Sequence, residues 1–223
     1  MSDETLARIA RRQHSVITIA QLREAGVDDN AIAHRVATGR LTRLHRGVYR
    51  LGPADAPRTP EAAALLACGP RSHLSHHTAV ILWGLPLDAP TFVHVTSGRR
   101  RPRDGVVIHR REVTGADRAL RDGLRVTSVA RTLLDLAAVL DQRTLERLVE
   151  EAHVRRLVTR GQLVARGRRG ALALRAALAA HDQPAMTRSE AERRLLALVR
   201  AAGLPHPEAN AYGVTGVASR CQQ

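Results

Sequence analysis

The fold is decided by residues 18–51, which read TIAQLREAGVDDNAIAHRVATGRLTRLHRGVYRL. Thr18 is followed three residues later by Gln21, which is the spacing of a capping box, where each side chain binds a backbone N–H at the start of a helix. The pattern predicts a helix that begins after Thr18 and ends at Gly26, since glycine favours helix C-termini.

A third helix is predicted to begin at Asp28 or Asp29, because aspartate caps helix N-termini well, and to stop at Gly39. Ile32 and Val36 lie four residues apart and are expected to face the core. The opposite face of this helix then carries polar side chains, namely Asn30, His34, Arg35 and Thr38.

Residues 41–51 predict two strands around a tight turn at Arg46-Gly47, and an apolar stripe in residues 3–13 predicts a first helix. Three helices followed by a basic hairpin form a winged helix-turn-helix, whose third helix can enter the major groove. A solvated helix face, or a domain that binds only protein, would show the same pattern. We expect base contacts from Asn30, His34, Arg35 and Thr38, and contacts to the DNA backbone from Thr18, Gln21, Arg40, Arg43, His45 and Arg46.

The composition favours an anionic partner. The 223 residues carry 35 basic side chains, all of them arginine, against 21 acidic ones, so the formal net charge is +14. Arginine holds phosphate or guanine with two hydrogen bonds, although the codon usage of a GC-rich genome explains the bias equally well. Aromatic residues make up only 2% of the chain, which excludes binding modes that stack bases on aromatic rings.

Further features indicate the reducing cytoplasm. Cys68 and Cys221 lie far apart, so neither a disulfide framework nor a thiolate zinc site is expected. The sequence contains no apolar stretch of about 18 residues and begins with Asp3 and Glu4 rather than a basic leader, so no membrane association is expected.

Residues 58–182 predict a mixed α/β domain with a small sheet and C-terminal helices, which makes the chain α+β overall. Arg131 and Asp135 lie one helical turn apart and are expected to form a structural ion pair. The loop over residues 97–105 is the densest charge run, and either contacts phosphates or an acidic protein, or is a solvated hairpin tip. The predicted strands span residues 91–96, 106–111 and 124–127, and the predicted helices span residues 61–68, 75–82, 128–140, 144–155, 159–166 and 171–180.

These blocks resemble a known family. TIAQLREAG at 18–26 and HRGVY at 45–49 resemble the N-terminal winged helix of AbiEi-family antitoxins from type IV toxin-antitoxin systems. LSHHTA at 74–79, WGLP at 83–86 and VTSVARTLLDLA at 126–137 are similar to blocks of actinobacterial AbiEi-like proteins. The resemblance implies a repressor that binds double-stranded DNA at its own operator, and a nucleotidyltransferase toxin as its partner.

The resemblance also divides the chain. It implies a winged helix at 1–52 and an antitoxin domain at 58–182, followed at 187–210 by the first helix of a truncated domain similar to the very-short-patch-repair endonuclease. Residues 211–223 are expected to be disordered. Glu190 alone matches the acidic pattern of such nucleases, and one carboxylate does not fix a catalytic metal. A stand-alone regulator without a toxin and a degenerate nuclease are the alternatives.

No metal site, cofactor or catalytic activity is expected from the remaining residues. His73, His76 and His77 have no carboxylate or cysteine at ligand spacing, and adjacent histidines on a helix point in different directions. Ser75 beside His76 is better explained as a helix cap than as a nucleophile.

Overall fold

A computed structural model describes residues 3–54, 56–98, 102–163 and 168–182, together with residues 198 and 202. Over these ranges the chain forms eight α-helices and eight β-strands arranged in two sheets, so the predicted mixed α/β class is confirmed. The chain divides into two compact units, residues 1–180 and residues 181–223. The predictions for 187–210 and 211–223 lie outside the described residues, apart from positions 198 and 202.

The N-terminal part is a winged helix built on a three-stranded antiparallel sheet with the strand order β1-β3-β2. The predicted hairpin is confirmed, whereas the first strand was not predicted, because three residues are too few to show an alternating pattern. The elements are α1 (Asp3–Arg12), β1 (Val16–Thr18), α2 (Ile19–Glu24), α3 (Asp29–Ala37), β2 (Leu41–His45) and β3 (Val48–Leu51).

Both predicted helix caps are confirmed. Thr18 and Gln21 form the complete capping box at the start of α2. Asp28 caps α3, and its carboxylate Oδ1 accepts a hydrogen bond of 2.7 Å from the backbone N–H of Ala31. These bonds satisfy donors that a helix N-terminus otherwise leaves without partners, so the sequence defines where both helices begin.

The core under the winged helix is small. It contains Ile32 from α3, but Val36 is 38% exposed, so the prediction that both face the core was wrong for Val36. The core offers α3 one buried position, and the last turn of the helix extends beyond it. The buried members of this core are Leu6, Ile17, Leu22, Ala25, Val27, Ile32, Leu41 and Tyr49.

The second sheet is mixed, has five strands and follows the order β6-β5-β4-β8-β7. The two strands β4 and β7 were not predicted, since one has two residues and the other is largely exposed. Its elements are α4 (Thr59–Cys68), β4 (His73–Leu74), α5 (His76–Leu82), β5 (Val93–Ser97), β6 (Val106–Arg110), β7 (Arg118–Arg121), β8 (Leu124–Thr127), α6 (Val129–Leu136), α7 (Gln142–Val154) and α8 (Ala171–Asp182).

The loop between β5 and β6 is not a hairpin tip. The two strands are parallel, with Val93 opposite Val106 and Ser97 opposite Arg110, so the loop carries the chain back along the sheet. Residues 99–101 of this loop lie outside the described residues. The helix predicted at residues 159–166 is a 3-10 turn over Arg160–Leu163 as far as the structure describes it.

Helix α4 packs between the two sheets. Its alanines and Leu65 share one buried cluster with Val16 and Val48 of the first sheet and with Val95 and Val126 of the second. The small alanine side chains let both sheets approach the helix closely. As a consequence, one face of the winged-helix sheet is covered by residues that follow it in the chain.

The predicted ion pair between Arg131 and Asp135 is confirmed and extends into a network. Arg131 Nε donates to Asp135 Oδ1 at 2.9 Å, and Arg131 is only 3% exposed. Asp117 accepts from Arg131 at 2.7 Å and from Arg168 at 2.8 Å. The network therefore ties α6 to the segments on both sides of it in the sequence.

Candidate nucleic-acid interface

The outward face of α3 carries Asn30 and His34. The two residues are one turn apart, so their side chains project from the same side of the helix, opposite the buried Ile32. Ala33 and Ala37 lie beside them and are also exposed, and their small side chains leave room for a base edge. Across the part of the chain that the structure describes, no hydrogen bond engages the side chain of Asn30 or His34.

Arg35 lies on the flank of α3 rather than on its outward face. Its guanidinium donates to Asp3 Oδ1 of α1 at 3.2 Å, and its side chain is 22% exposed. Thr38 ends the helix, and its hydroxyl donates to the backbone oxygen of His34 at 2.9 Å. Base contacts from Arg35 and Thr38 stay predictions, and they require these two side chains to leave their present partners.

Thr18 and Gln21 use their side chains within the domain. Gln21 Oε1 accepts from the backbone N–H of Thr18 at 2.9 Å, and the amide groups of Gln21 and Gln13 are 3.1 Å apart. These bonds fix the start of α2. Their predicted contact with the DNA backbone is not tested by this arrangement.

The N-terminus of α3 carries two carboxylates, those of Asp28 and Asp29. Arg23 forms two parallel hydrogen bonds of 3.0 Å to the carboxylate oxygens of Asp29. The pair is exposed, so its contribution to stability is small. It does cancel one of the two negative charges at the helix end that would approach phosphates. Sequence reasoning missed Arg23, because a spacing of six residues does not indicate a pair.

The hairpin is short and rests on α2. Arg46 and Gly47 form its two-residue turn, and the backbone N–H of Ile19 donates to the oxygen of Gly47 at 2.9 Å. Gly47 has φ +72°, and a Cβ there would meet Ile19 Cγ2 at 3.2 Å, so a larger residue is disfavoured. Arg43 and Arg46 are exposed on this hairpin, while Arg40 is exposed in the connection from α3.

His45 lies on the hairpin, within range of the charges of the loop that precedes β6. Burial lowers the pKa of His45, and the charge of Arg103 lowers it further, against the opposite effect of Asp104. This influence places Arg103 near the hairpin, where its guanidinium also donates to the backbone oxygen of Ala67 at 3.3 Å. The described end of this loop therefore brings one positive and one negative side chain, Arg103 and Asp104, near the hairpin.

Three helices, a short hairpin and a capped third helix with an exposed polar face define a winged helix-turn-helix of the DNA-binding class. Residues 4–52 match the family model described as "Transcriptional regulator, AbiEi antitoxin". The match supports a DNA-binding regulator and confirms the resemblance over those residues. It does not reach the segment predicted to be endonuclease-like.

The chain was also compared with curated proteins and with solved structures. No curated protein matches the chain. Among solved structures, the chain is similar to the crystal structure of the RV2827C protein from Mycobacterium tuberculosis, with 22% sequence identity and a TM-score of 0.42 over 78% of this chain and 79% of that chain. Separately, none of the helices in the described ranges has the length and apolar character needed to cross a membrane.

Proposed function

We propose that the chain is a transcriptional repressor that binds its own operator through the winged helix and acts as the antitoxin to a nucleotidyltransferase toxin. The observation that carries the proposal is the pair of exposed side chains Asn30 and His34 on a capped third helix, within the segment that matches the regulator family. The toxin partner rests on the family resemblance alone.

In the proposed complex, α3 lies in the major groove. The amide of Asn30 can pair with adenine through two hydrogen bonds, and His34 can donate to or accept from a base edge. Ala33 and Ala37 can contact thymine methyl groups. Arg43 and Arg46 lie on phosphates, which sets the register without reading sequence.

The operator part is tested by footprinting the full chain on the DNA upstream of its own gene. We expect protection of a repeated sequence, and repression of a reporter placed behind it. Asn30→Ala should abolish repression, whereas Arg143→Ala, an exposed arginine on α7, should repress like the wild type. A wild-type protein that protects no defined sequence would contradict the operator role.

The antitoxin part is tested separately. If the neighbouring gene encodes a nucleotidyltransferase, we expect its growth inhibition to be relieved by this chain, including the Asn30→Ala variant that no longer represses. Loss of relief in that variant would tie protection to DNA binding. A neighbouring gene of another kind would favour the alternative, a stand-alone regulator.

A further inference from the structure

Three histidines from separate segments meet between α5 and the second sheet. His76 is the first residue of α5, His94 lies in β5 and His109 lies in β6. In the parallel register Thr96 is opposite His109, and His94 is two residues before Thr96, so both histidines lie on the same face of the sheet. The fold thus gathers residues that are 15 or more positions apart.

The ring nitrogens are close enough to share one ion. One nitrogen from each of the three rings lies within 4.8 Å of the other two. His94 Nδ1 and His109 Nε2 are 3.1 Å apart, and the rings of His76 and His109 stack with their centroids separated by 3.5 Å. In a tetrahedral zinc site with Zn–N bonds of about 2.0 to 2.1 Å, ligand nitrogens are about 3.3 Å apart. Because the rings of His76 and His109 are stacked with an interplanar angle of 13°, at least one of them must rotate out of the stack before both lone pairs can point at the same ion.

Burial lowers the pKa of all three rings. Burial lowers the pKa of His76 to about 2, and the neighbouring histidines lower it further. Burial and the charge of His109 lower the pKa of His94 to about 4. No carboxylate in the described residues forms a salt bridge with these rings.

The ring of His76 is also oriented by a contact with the neighbouring Ser75. Its Nδ1 is 3.0 Å from the hydroxyl of Ser75, which in turn accepts a hydrogen bond of 2.8 Å from Thr96. Ser75 occupies the cap position predicted for it, but its hydroxyl makes this contact instead of a bond to the helix backbone. When Nδ1 donates to Ser75, the lone pair of Nε2 is left for a ligand, as in metal sites whose histidines are fixed by a second hydrogen bond.

His76 is held in an unusual backbone conformation. Its φ is +50°, a region that residues other than glycine rarely adopt. Such strain persists only where surrounding contacts impose it, and it is concentrated at functional sites. Here it turns the ring of His76 onto His109.

One side of the cluster is open. His76 and His109 line a cavity of about 500 Å³, together with Glu112, Arg131 and Asp135. Arg131 is paired with Asp117 and Asp135, but Arg110, Arg111, Arg168 and Arg169 also line the cavity, so the net charge of the cavity is positive. The cavity leaves room for a water molecule or an anion as a fourth ligand.

We propose that His76, His94 and His109 bind one Zn²⁺ ion, whose fourth coordination position faces this cavity. Imidazole nitrogens suit zinc, and three histidines with one open position form a known type of zinc centre. Of His73, His76 and His77, the histidines considered in the sequence analysis, only His76 belongs to this ligand set. The signal is absent from the sequence, because the three ligands come from separate elements.

The proposal is tested on the full chain, made metal-free with a chelator and then titrated with ZnCl₂ in a calorimeter. We expect one equivalent to bind the wild type, and binding to weaken by about tenfold or more in His94→Asn and in His109→Gln. His153→Ala, which removes an exposed histidine from α7, is the control and should bind zinc like the wild type. Circular dichroism checks that each variant is folded.

Two measurements on the wild type keep the test independent of variant folding. Co²⁺ should give the intense visible absorption of a four-coordinate site, and X-ray absorption of the zinc form should show three imidazoles. No stoichiometric binding, sulfur from Cys68 in the zinc shell, or unchanged affinity in both folded variants would overturn the proposal. Any of these results would leave the three rings as a hydrogen-bonded core cluster.

Discussion

The N-terminal cap of α3 provides a direct test of how this helix is used. Asp28 Oδ1 accepts from the backbone N–H of Ala31 at 2.7 Å, and Asp28→Ala removes this bond. Loss of such a cap costs about 1 kcal/mol, within a range of about 0.5 to 2. α3 has nine residues and one buried side chain, Ile32, so little packing compensates for the loss.

The magnitude follows from that cost. About 1 kcal/mol shifts the ratio of ordered to frayed helix by about fivefold. Asp28→Ala also removes a negative charge that opposes phosphates, which favours binding. Asp28→Asn separates the two effects, because its side-chain oxygen still accepts from Ala31 while the charge is gone. We expect Asp28→Asn to bind operator DNA more tightly than the wild type. We expect Asp28→Ala to bind more weakly than Asp28→Asn by up to about fivefold, the full factor applying when the frayed helix predominates in the free variant.

The assay is fluorescence anisotropy with a labelled duplex from the upstream region, at one fixed salt concentration. Asp141 caps α7 in the same way, with the N–H of Thr144 donating at 2.9 Å, so Asp141→Ala is the matched control. It should lower the melting temperature without changing DNA affinity. Equal affinities of Asp28→Ala and Asp28→Asn, or a loss of affinity in Asp141→Ala, would refute the reasoning.

Three further predictions concern charge and packing. Arg46→Ala should lower the slope of log affinity against log salt by about 0.9, as expected for one lost phosphate contact. Arg143→Ala is the control and should leave the slope unchanged. A slope for Arg46→Ala equal to that of the wild type would show that Arg46 on the hairpin does not contact phosphate. Burial opposes ionisation of Asp117, but hydrogen bonds from Arg168 and Arg131 outweigh it and lower its pKa. The stability that this carboxylate contributes is therefore present above about pH 4 and lost as the pH falls further. Asp117→Asn should lower the free energy of unfolding by about 1 to 3 kcal/mol at pH 7, and this difference should shrink as the pH falls below about 4, as read from urea melts. Gly170 has φ +87°, and a Cβ there would lie 2.6 Å from the backbone oxygen of Leu134, so Gly170→Ala should destabilise the protein by more than about 2 kcal/mol; an unchanged melting temperature would contradict that packing.

The local features of the winged helix could be predicted because each depends on residues close in sequence. The capping box of Thr18 and Gln21 spans three residues, and the hairpin turn at Gly47 needs only its own backbone freedom. Val36 shows the limit of this reasoning. Its spacing from Ile32 indicates a shared helix face, but only the size of the core decides how many turns of that face are buried.

Features that depend on distant residues could not be predicted. Arg35 pairs with Asp3, 32 positions away, a contact that no residue near Arg35 in the sequence indicates. The histidine cluster needs the parallel register of β5 and β6, whereas a loop this short between two strands indicates an antiparallel pair. Without that register, His94 and His109 give no sign that they meet.

The most direct test of the central claim compares two duplexes, one from the upstream region and one of the same composition in scrambled order. We expect the wild type to prefer the upstream duplex by at least about tenfold at moderate salt. The double variant Asn30→Ala/His34→Ala should lose this preference while keeping its weak, salt-dependent binding to both duplexes. A wild type without preference, or a double variant that keeps it, would contradict readout by the outward face of α3.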